Sequence, residues 1–412
     1  MASCVWVPGR NLVSKAFRDP KFVRKSPFPY LTRNYNWFWQ LIDKTTLRWD
    51  ENTKLIMVEG GSSSPEKTEL AKALAREFGM AHMPAPSVDE YFFRTQDRQD
   101  FRIHNEHFMP RNRPYAEPEF FAAPFGSYKG AADRYFYLDY LVKFTNYVFA
   151  MRHMFNTGEG VVVEGNPFSS FAHMNAALRS NYISPSTKEL FQYTVKIKHR
   201  DLLRPNVILH LDIDTKKTSD TLKKTYGSGQ VAVKDPVWDN LSFLNDISLG
   251  LNREYLNEAK KHSLVLVYDW NEPGENEIIV EDMERLDLDW HNFGDLQQND
   301  WDLKVEDKYE KIRRRVTNFN ELRNVLNFGN ITDSMDAEHL IISAEEIINI
   351  DHVLDALDSE RFSQGWNPYN GDNVFFKSST GAIYIKPVFY NKVTVGNIHS
   401  EGFVYPEDNI SK

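Results

Sequence analysis

The stretch Lys54-Leu-Ile-Met-Val-Glu-Gly-Gly-Ser-Ser-Ser-Pro-Glu-Lys-Thr-Glu-Leu-Ala-Lys-Ala-Leu-Ala-Arg-Glu-Phe-Gly79 decides the fold. It predicts a buried strand, a phosphate-type loop and an amphipathic helix, in that order. A loop that cradles phosphate needs glycine just before its lysine, because the backbone amides must curl round the anion. Glu66 stands there instead and brings a side chain and a negative charge. The pattern therefore indicates a phosphate-binding scaffold whose loop is damaged.

Three further runs of apolar residues predict more strands of the same sheet. They are dense in valine, isoleucine and leucine and lie at 160–164, 206–212 and 263–269. Continuous rather than alternating apolarity is typical of strands buried on both faces, which predicts a parallel sheet with helices on either side. Helical patterns lie between the runs, at roughly 133–157, 187–203, 215–226 and 240–261. The fold class is an open α/β sheet whose ligand crevice lies at the carboxyl ends of the strands.

Composition limits the classes of function. With 412 residues, 41% of them hydrophobic, the chain can bury one large core and a smaller one. A net charge of −9 argues against non-specific binding to nucleic acid. No apolar run approaches the roughly 20 residues of a membrane-spanning helix, so membrane association should go through protein partners. The single cysteine, Cys4, excludes internal disulfides and a cysteine zinc site.

The ends of the chain differ from its centre. Residues 1–33 are basic, acid-poor and broken by apolar side chains, which fits a mitochondrial presequence, with a plain basic tail as the alternative. Residues 25–33 lack periodicity and predict an extended arm.

Residues 290–412 are rich in Trp, Asn and Asp and predict helices near 302–327 and 344–357. This extension is either an interaction region or a cap on the chain's own core. The predicted divisions are 1–50, 51–289 and 290–412.

Four groups of motifs resemble the deoxyribonucleoside kinase family, in order and in spacing. They are Val58-Glu-Gly60 leading to Lys67-Thr68, residues 157–164 followed by Pro167-Phe-Ser169, residues 203–212, and residues 267–287. The last group is most similar to one branch of that family, the kinase-like accessory subunits of mitochondrial respiratory complex I. The resemblance covers roughly 28–290. It implies a P-loop-type open parallel sheet flanked by helices, with an N-terminal arm and a C-terminal extension.

The resemblance implies a degenerate nucleotide site at Gly60, Gly61, Lys67, Thr68 and Glu164. Counted from Gly61, the spacing to Lys67 and Thr68 is right, but Pro65 removes an amide donor and Glu66 opposes phosphate charge. Counted from Gly60, the loop is one residue too long. Lys67 and Thr68 are therefore either ligands of phosphate and magnesium or simply the start of a helix.

Positions that carry chemistry in the family are changed here. The family's base is a glutamate between two prolines, and Ala85 stands at that place, where it cannot accept a proton. Gly165 follows Glu164 where the family has an arginine, and glycine offers no charge to a phosphoryl oxygen. Phe136 falls where the family reads the base with glutamine. Asp89 and Glu90 are weak substitutes for the base.

Other candidate sites carry weaker signals. After the third strand the kinase lid has arginines, whereas this chain has Lys223 and Lys224, which suit the end of a helix. His104 and His107 have no third ligand at metal-site spacing, so no metal site is predicted. Lys311-Ile-Arg-Arg-Arg315 follows several acids and predicts a charge-paired, exposed helix. No dinucleotide fingerprint supports a flavin.

These observations favour a non-catalytic accessory subunit of complex I, which transfers electrons from NADH to ubiquinone. The chain is then expected on the matrix side of the mitochondrial inner membrane, held by other complex I subunits, with no required cofactor and no nucleic acid. One alternative is an active mitochondrial deoxyribonucleoside kinase that uses ATP. The other is a module that keeps a bound nucleotide without turning it over.

Overall fold

The computed structural model describes residues 11–16, 23–60, 65–92, 100–126, 128–227, 235–291, 294–301, 306–328, 331 and 336–361. The predicted Gly61, residues 1–10 and 17–22 of the presequence-like stretch, and the end of the C-terminal extension lie outside these described residues.

A five-stranded sheet forms the centre of the described structure. Its strands are β1 (Leu55–Gly60), β2 (Ala81–Met83), β3 (Val161–Glu164), β4 (Val207–Asp212) and β5 (Leu264–Asp269), in the order β2-β3-β1-β4-β5. All four pairings are parallel, and the central Val58 is paired with Glu164 on one side and Leu209 on the other. The predicted open parallel sheet is confirmed. The carboxyl ends of β1 and β3 meet at one edge, beside each other.

Helices cover both faces of the sheet; the predicted stretches at 133–157, 187–203, 215–226 and 240–261 contain helices, whereas the helices at 37–42, 117–122, 170–179 and 276–284 were not predicted. The described helices are α1 (Trp37–Ile42), α2 (Pro65–Phe78), α3 (Glu117–Ala122), α4 (Ala131–Thr157), α5 (Ser170–Arg179), α6 (Pro185–Lys198), α7 (Thr215–Tyr226), α8 (Leu241–Leu249), α9 (Leu256–Ala259), α10 (Asn276–Glu284), α11 (Glu306–Thr317), α12 (Phe319–Val325) and α13 (Ala344–Arg361). A π-helical turn, Gly250–Tyr255, joins α8 to α9.

The two faces of β1 belong to two different cores. Leu55 and Met57 point into a large core with α4, α5 and α8, whereas Ile56 and Val58 point into a smaller core with α2 and α10. Alternation of side chains along a strand produces this division. Because both faces are covered, the four residues Leu55 to Val58 are all apolar, as the sequence predicted, and Glu59 and Gly60 follow at the carboxyl end of the strand.

The strand prediction is wrong in one respect, the burial of β5. This strand lies at the edge of the sheet, and the exposed fraction of Val267 is 48%. An edge strand has a neighbour on one side only, so its apolar residues are less covered than their sequence pattern suggests.

The N-terminal residues are part of the folded structure from residue 11. The exposed fraction of Leu12 is 1%, and its side chain packs in the smaller core. The amide of Asn52 donates to the carbonyl of Val13 at 2.7 Å. These contacts place residues 11–16 inside the fold, although they belong to the presequence-like stretch. Residues 23–30 form an arm without helix or strand, which buries Phe28 and Tyr30.

The described residues beyond 290 also pack on the chain's own core. Tyr309, Val316 and Phe328 belong to the large core. Glu346 on α13 is buried and pairs with Arg134 of α4 at 3.2 Å and Arg111 at 3.0 Å. Through this carboxylate α13 is held against the middle of the chain. Among the described residues, no helix combines the length and apolarity that crossing a bilayer requires.

Candidate active-site cleft

A cleft opens where the carboxyl ends of β1 and β3 meet α4, α5 and α8. Its cavity volume is about 150 Å³, below the roughly 300–1,000 Å³ of ordinary small-molecule sites. Of the predicted site residues, the structure brings Gly60 and Lys67 to its wall, together with Ala85, Phe136 and Gly165 at the altered positions. We therefore take this cleft as the counterpart of the predicted nucleotide site.

Glu164, at the end of β3, is the centre of a small buried network. Its carboxylate oxygens lie 3.0 Å from the hydroxyl of Thr68 and 2.8 Å from Nε2 of His82. Burial alone would raise the pKa of Glu164, but the hydrogen bond from His82, the charge of Lys67 and the hydrogen bond from Thr68 hold it below its ordinary value. No motif pointed to His82, whose role depends on β2 lying beside β3.

Lys67 is buried at the start of α2. Its exposed fraction is 7%, and burial lowers its pKa, with Glu164 and Glu59 opposing that shift. Pro65 takes the first position of the helix and Glu66 its exposed first turn, where proline and an acid are both favoured. Pro65 and Glu66, which are unfavourable in a phosphate-binding loop, are thus favourable at the start of a helix.

Gly165 has a backbone that no arginine would adopt without strain. Its φ is +85°, and a Cβ built there would lie 2.7 Å from Cδ of Pro86. Side chains are disfavoured at positive φ, and real Cβ atoms do not approach other atoms so closely. At this position the kinase family has an arginine. Here Pro86, next to Ala85, occupies the space that any side chain of residue 165 would need.

Three carboxylates line the cleft, and each accepts hydrogen bonds from partners within the fold. Glu117 at the start of α3 accepts from the amides of Val88 at 2.9 Å and Asp89 at 3.1 Å, and from the hydroxyl of Ser87 at 3.0 Å. Burial raises the pKa of Glu117. Its hydrogen bonds hold the turn after β2, so this carboxylate is already used as a structural acceptor.

The other two carboxylates are Asp139 and Glu59. Asp139 accepts from Nζ of Lys143, one turn along α4, at 2.6 Å. Glu59 accepts from the side-chain amide nitrogen, Nδ2, of Asn166 at 2.9 Å. Sequence reasoning missed both, although the i, i+4 spacing of Asp139 and Lys143 is a recognisable helix signal. Lys143 passes beside Gly165, within 3.6 Å of the position of a Cβ there.

Aromatic rings form part of the cleft wall. Phe120 stacks on Tyr135 at 4.7 Å between ring centroids and meets the edge of Phe136 at 5.0 Å. Phe121 stacks on Tyr226 of α7 at 4.9 Å. These rings offer stacking surfaces, but Phe136 has no group that could read the edge of a base.

The charge in the cleft does not favour a polyphosphate. The described lining holds the carboxylates of Glu59, Glu117 and Asp139 against two lysines, and it includes no arginine. His173 adds no charge near neutral pH, because burial lowers its pKa to about 4. An arrangement built to transfer phosphate needs cations around the phosphoryl oxygens, and here acids are in excess.

The remaining predicted residues lie elsewhere. Asp89 pairs with Arg102 and is not part of the cleft wall, and Lys223 and Lys224 are exposed. In the basic run, Arg314 pairs with Glu321 and Arg315 with Asp201, as predicted for a charge-paired helix. The prediction of exposure is wrong for Arg313, whose side chain is fully buried against Asp43. In the described ranges, no group of three or more His, Cys, Asp or Glu residues is placed so that it could hold a metal ion.

Comparisons with known proteins agree with the motif analysis. The chain is 25% identical over 331 residues to NADH dehydrogenase (ubiquinone) 1 alpha subcomplex subunit 10, mitochondrial, of Mus musculus, which covers 80% of this chain and 85% of the relative. It is 24% identical over 273 residues to the protein of that name from Bos taurus, covering 66% and 76%. The predicted resemblance to subunits of mitochondrial complex I is confirmed by these similarities.

A solved structure, deoxyadenosine kinase from M. mycoides with bound dATP, is similar with a TM-score of 0.38 and 10% identity, covering 56% of this chain and 98% of that chain. No family model matches the chain.

Proposed function

We propose that this chain is a non-catalytic accessory subunit of mitochondrial respiratory complex I, which acts in its assembly or stability. The observation that carries the proposal is the similarity to complex I subunits over 80% of the chain. In that role the complex passes electrons from NADH to ubiquinone, and this chain transfers none of them. Its place is the matrix side of the inner membrane, where other complex I subunits hold it.

The cleft supports the non-catalytic part of the proposal. Ala85 supplies no base, and Gly165 supplies no cation. If a general base and a phosphoryl cation each contribute about 100-fold or more to the rate, their joint absence leaves little useful turnover. The carboxylates that do line the cleft are hydrogen-bonded within the fold.

The test follows the chain in mitochondria. Membranes are solubilised gently, and the complexes are separated on a native gel that is stained for NADH dehydrogenase activity. The chain is expected in the active band, and depletion of the chain should weaken that band. Recovery of the chain only as a free monomer would refute the proposal.

A second assay addresses catalysis. The purified chain, with folding confirmed by a cooperative melting transition, is incubated with ATP and each deoxynucleoside. We expect no product above that of a Lys67→Ala variant. Phosphorylation of any one nucleoside that is lost in Lys67→Ala would instead establish an active kinase.

The retained cavity favours one further candidate function, the binding of a nucleotide without turnover. Gly60 and Lys67 remain at its wall, and aromatic rings also line it. A ligand that binds the folded state raises stability by mass action, by about 2.7 kcal/mol at 100 times Kd. Melting temperatures measured with millimolar nucleotides test this candidate, and an unchanged value for every nucleotide would exclude it.

A further inference from the structure

The helix α1 presents the most concentrated group of exposed large apolar side chains in the described structure. Four lie on the helix and one follows it in the next turn, and we call them together the α1 surface. Their exposed fractions are 68% for Trp37, 48% for Phe38, 69% for Leu41, 55% for Ile42 and 50% for Leu47. Single exposed apolar residues need no explanation, but a contiguous group of this kind marks an interaction site.

The opposite side of α1 is fixed to the fold. Tyr35 and Trp39 pack against Phe28 with ring centroids 5.4 and 5.5 Å apart. Asn36 caps the helix by accepting from the amides of Phe38 at 3.1 Å and Trp39 at 3.4 Å. An anchor that is held rigid before binding loses less conformational entropy when it docks.

The residue after α1 strengthens this attachment. Asp43 accepts from Arg48 at 2.8 Å, Lys25 at 2.9 Å and Arg313 of α11 at 2.7 Å. Arg313 also lies over the ring of Tyr35 at 4.0 Å. The charged groups therefore lie beneath and beside the helix, and its outward side is left to the apolar residues.

The size of the α1 surface fits a protein partner. At the observed exposed fractions, side chains of these sizes present on the order of 500 Å² together. A stable two-protein interface buries about 800 Å² on each partner, of which somewhat more than half is apolar. The α1 surface therefore supplies about the apolar area that one protein interface needs.

The charges around the α1 surface argue against a lipid bilayer. Arg33 and Lys44 flank α1 in the sequence and are exposed. On the acidic side, Glu306 accepts from the amides of Thr45 at 2.6 Å and Thr46 at 3.2 Å, directly before Leu47. Acids and bases thus share the rim. An anionic membrane selects a rim of cations, whereas an apolar centre with a rim of both signs is typical of protein interfaces.

We infer that the α1 surface is a docking site for another protein subunit of the same complex, one that offers an apolar hollow able to take an indole and a phenyl ring. This inference rests on the proposed function and adds to it the place of contact. Trp37 and Phe38 are the expected anchors, because buried aromatic residues carry most of the binding energy of interfaces.

The first experiment is photo-crosslinking in intact mitochondria. A photoreactive phenylalanine analogue replaces Phe38 in the full chain, and a second chain carries it at Ile278, which is 55% exposed on α10. Mass spectrometry of the products should identify one complex I subunit at position 38 that is absent from the products at position 278. A crosslink only to lipid, to a second copy of this chain or to other residues of the same chain would overturn the inference.

The second experiment is a competition for incorporation. Tagged Trp37→Ser/Leu41→Ser chain is expressed at the level of the wild-type chain, and the ratio of the two is measured in the active native-gel band. The double variant should be under-represented about tenfold or more. Ile278→Ser/Ile348→Ser, with side chains of comparable exposure, is the control and should compete equally.

The outcomes separate the two proposals. If wild-type chain is missing from the active band, the proposed function is wrong, and so is the inference that a complex I subunit docks on the α1 surface. If wild-type chain is present and Trp37→Ser/Leu41→Ser competes equally while its melting temperature is unchanged, the docking site is wrong and the proposed function stands.

Discussion

The hydroxyl of Thr68 donates a hydrogen bond to the carboxylate of Glu164 at 3.0 Å. In a working phosphate loop the same hydroxyl would bind magnesium. Here it joins the start of α2 to the end of β3 and satisfies part of a buried charge. The pair thus serves the stability of the fold, which is a role that can be measured without any ligand.

The first prediction is that Thr68→Val lowers the free energy of unfolding by about 1.5–3 kcal/mol, because a hydrogen bond to a charged acceptor is lost. The loss should be the same with and without magnesium. Denaturant titration in the presence and in the absence of magnesium measures the free energy of unfolding of each protein. Thr225→Val is the control, since the Thr225 hydroxyl is exposed and donates to its own helix. A loss that appears only with magnesium present would show instead that Thr68 is a metal ligand.

The second prediction separates backbone strain from crowding at Gly165. Gly294 also has a positive φ, of +93°, but a Cβ there would meet nothing within 4 Å. Gly294→Ala should cost about 1–2 kcal/mol for the backbone alone. Gly165→Ala should cost more, because the new Cβ also meets Pro86. Equal losses for the two variants would contradict the crowding, and Gly165→Ala/Pro86→Ala should recover part of the excess.

The third prediction concerns the cluster beneath α1. Asp43→Asn should lower the free energy of unfolding by about 3–5 kcal/mol, because Arg313 is left buried without its counter-charge. A matched control is Glu69→Gln, whose pair with Lys72 is exposed and should contribute less than about 1 kcal/mol. Urea titration at neutral pH compares the two.

The same cluster predicts a dependence on acid. Burial alone would raise the pKa of Asp43, but hydrogen bonds from Arg48, Arg313 and Lys25 lower it from 3.8 to about 2. A carboxyl with a depressed pKa stabilises the fold fully above its unfolded value and loses that contribution as the pH falls through the folded value. The difference between wild type and Asp43→Asn should therefore be constant above about pH 4 and shrink between pH 4 and 2. A difference that stays constant down to pH 2 would be contrary to this assignment.

The fourth prediction concerns two buried histidines. Burial lowers the pKa of His173 and of His199 from 6.5 to about 4. Between these values the unfolded chain binds more protons than the folded one, so the free energy of unfolding should fall as the pH drops from 6.5 to 4. The effect is on the order of 2 kcal/mol for each group.

Thermal melting of His173→Asn and His199→Asn across this pH range measures the effect. Each variant should lose less stability than wild type on acidification. The exposed His107 is the control, because His107→Asn should follow the wild-type curve. Parallel curves for all four proteins would show that these histidines do not titrate below their usual range.

Much of the fold is predictable because local pattern and tertiary environment agree. In β1 the four successive residues Leu55 to Val58 are apolar and both faces are buried, so the continuous apolar run identifies it as a central strand. The same reasoning fails for β5, whose edge position depends on strand order and leaves no trace in its own six residues. Likewise, Arg313 looks like a surface residue of a charged helix, and only the packing of α11 against Asp43 buries it.

The candidate site was predictable only where residues are close in sequence. Lys67 and Gly60 belong to one motif, and both line the cleft. Glu117 and Lys143 come from α3 and α4, and they reach the cleft because those helices pack over the sheet. Gly165 and Pro86 follow two different strands, and the pairing of β2 with β3, which no local pattern specifies, brings them together.

That contact limits what position 165 can hold. A side chain introduced at position 165 would meet an occupied space and a backbone turned into the left-handed region. An arginine at position 165 therefore requires coordinated change at two or more sites, each unfavourable when it occurs alone. No single substitution at this turn places a cation there without cost to the fold.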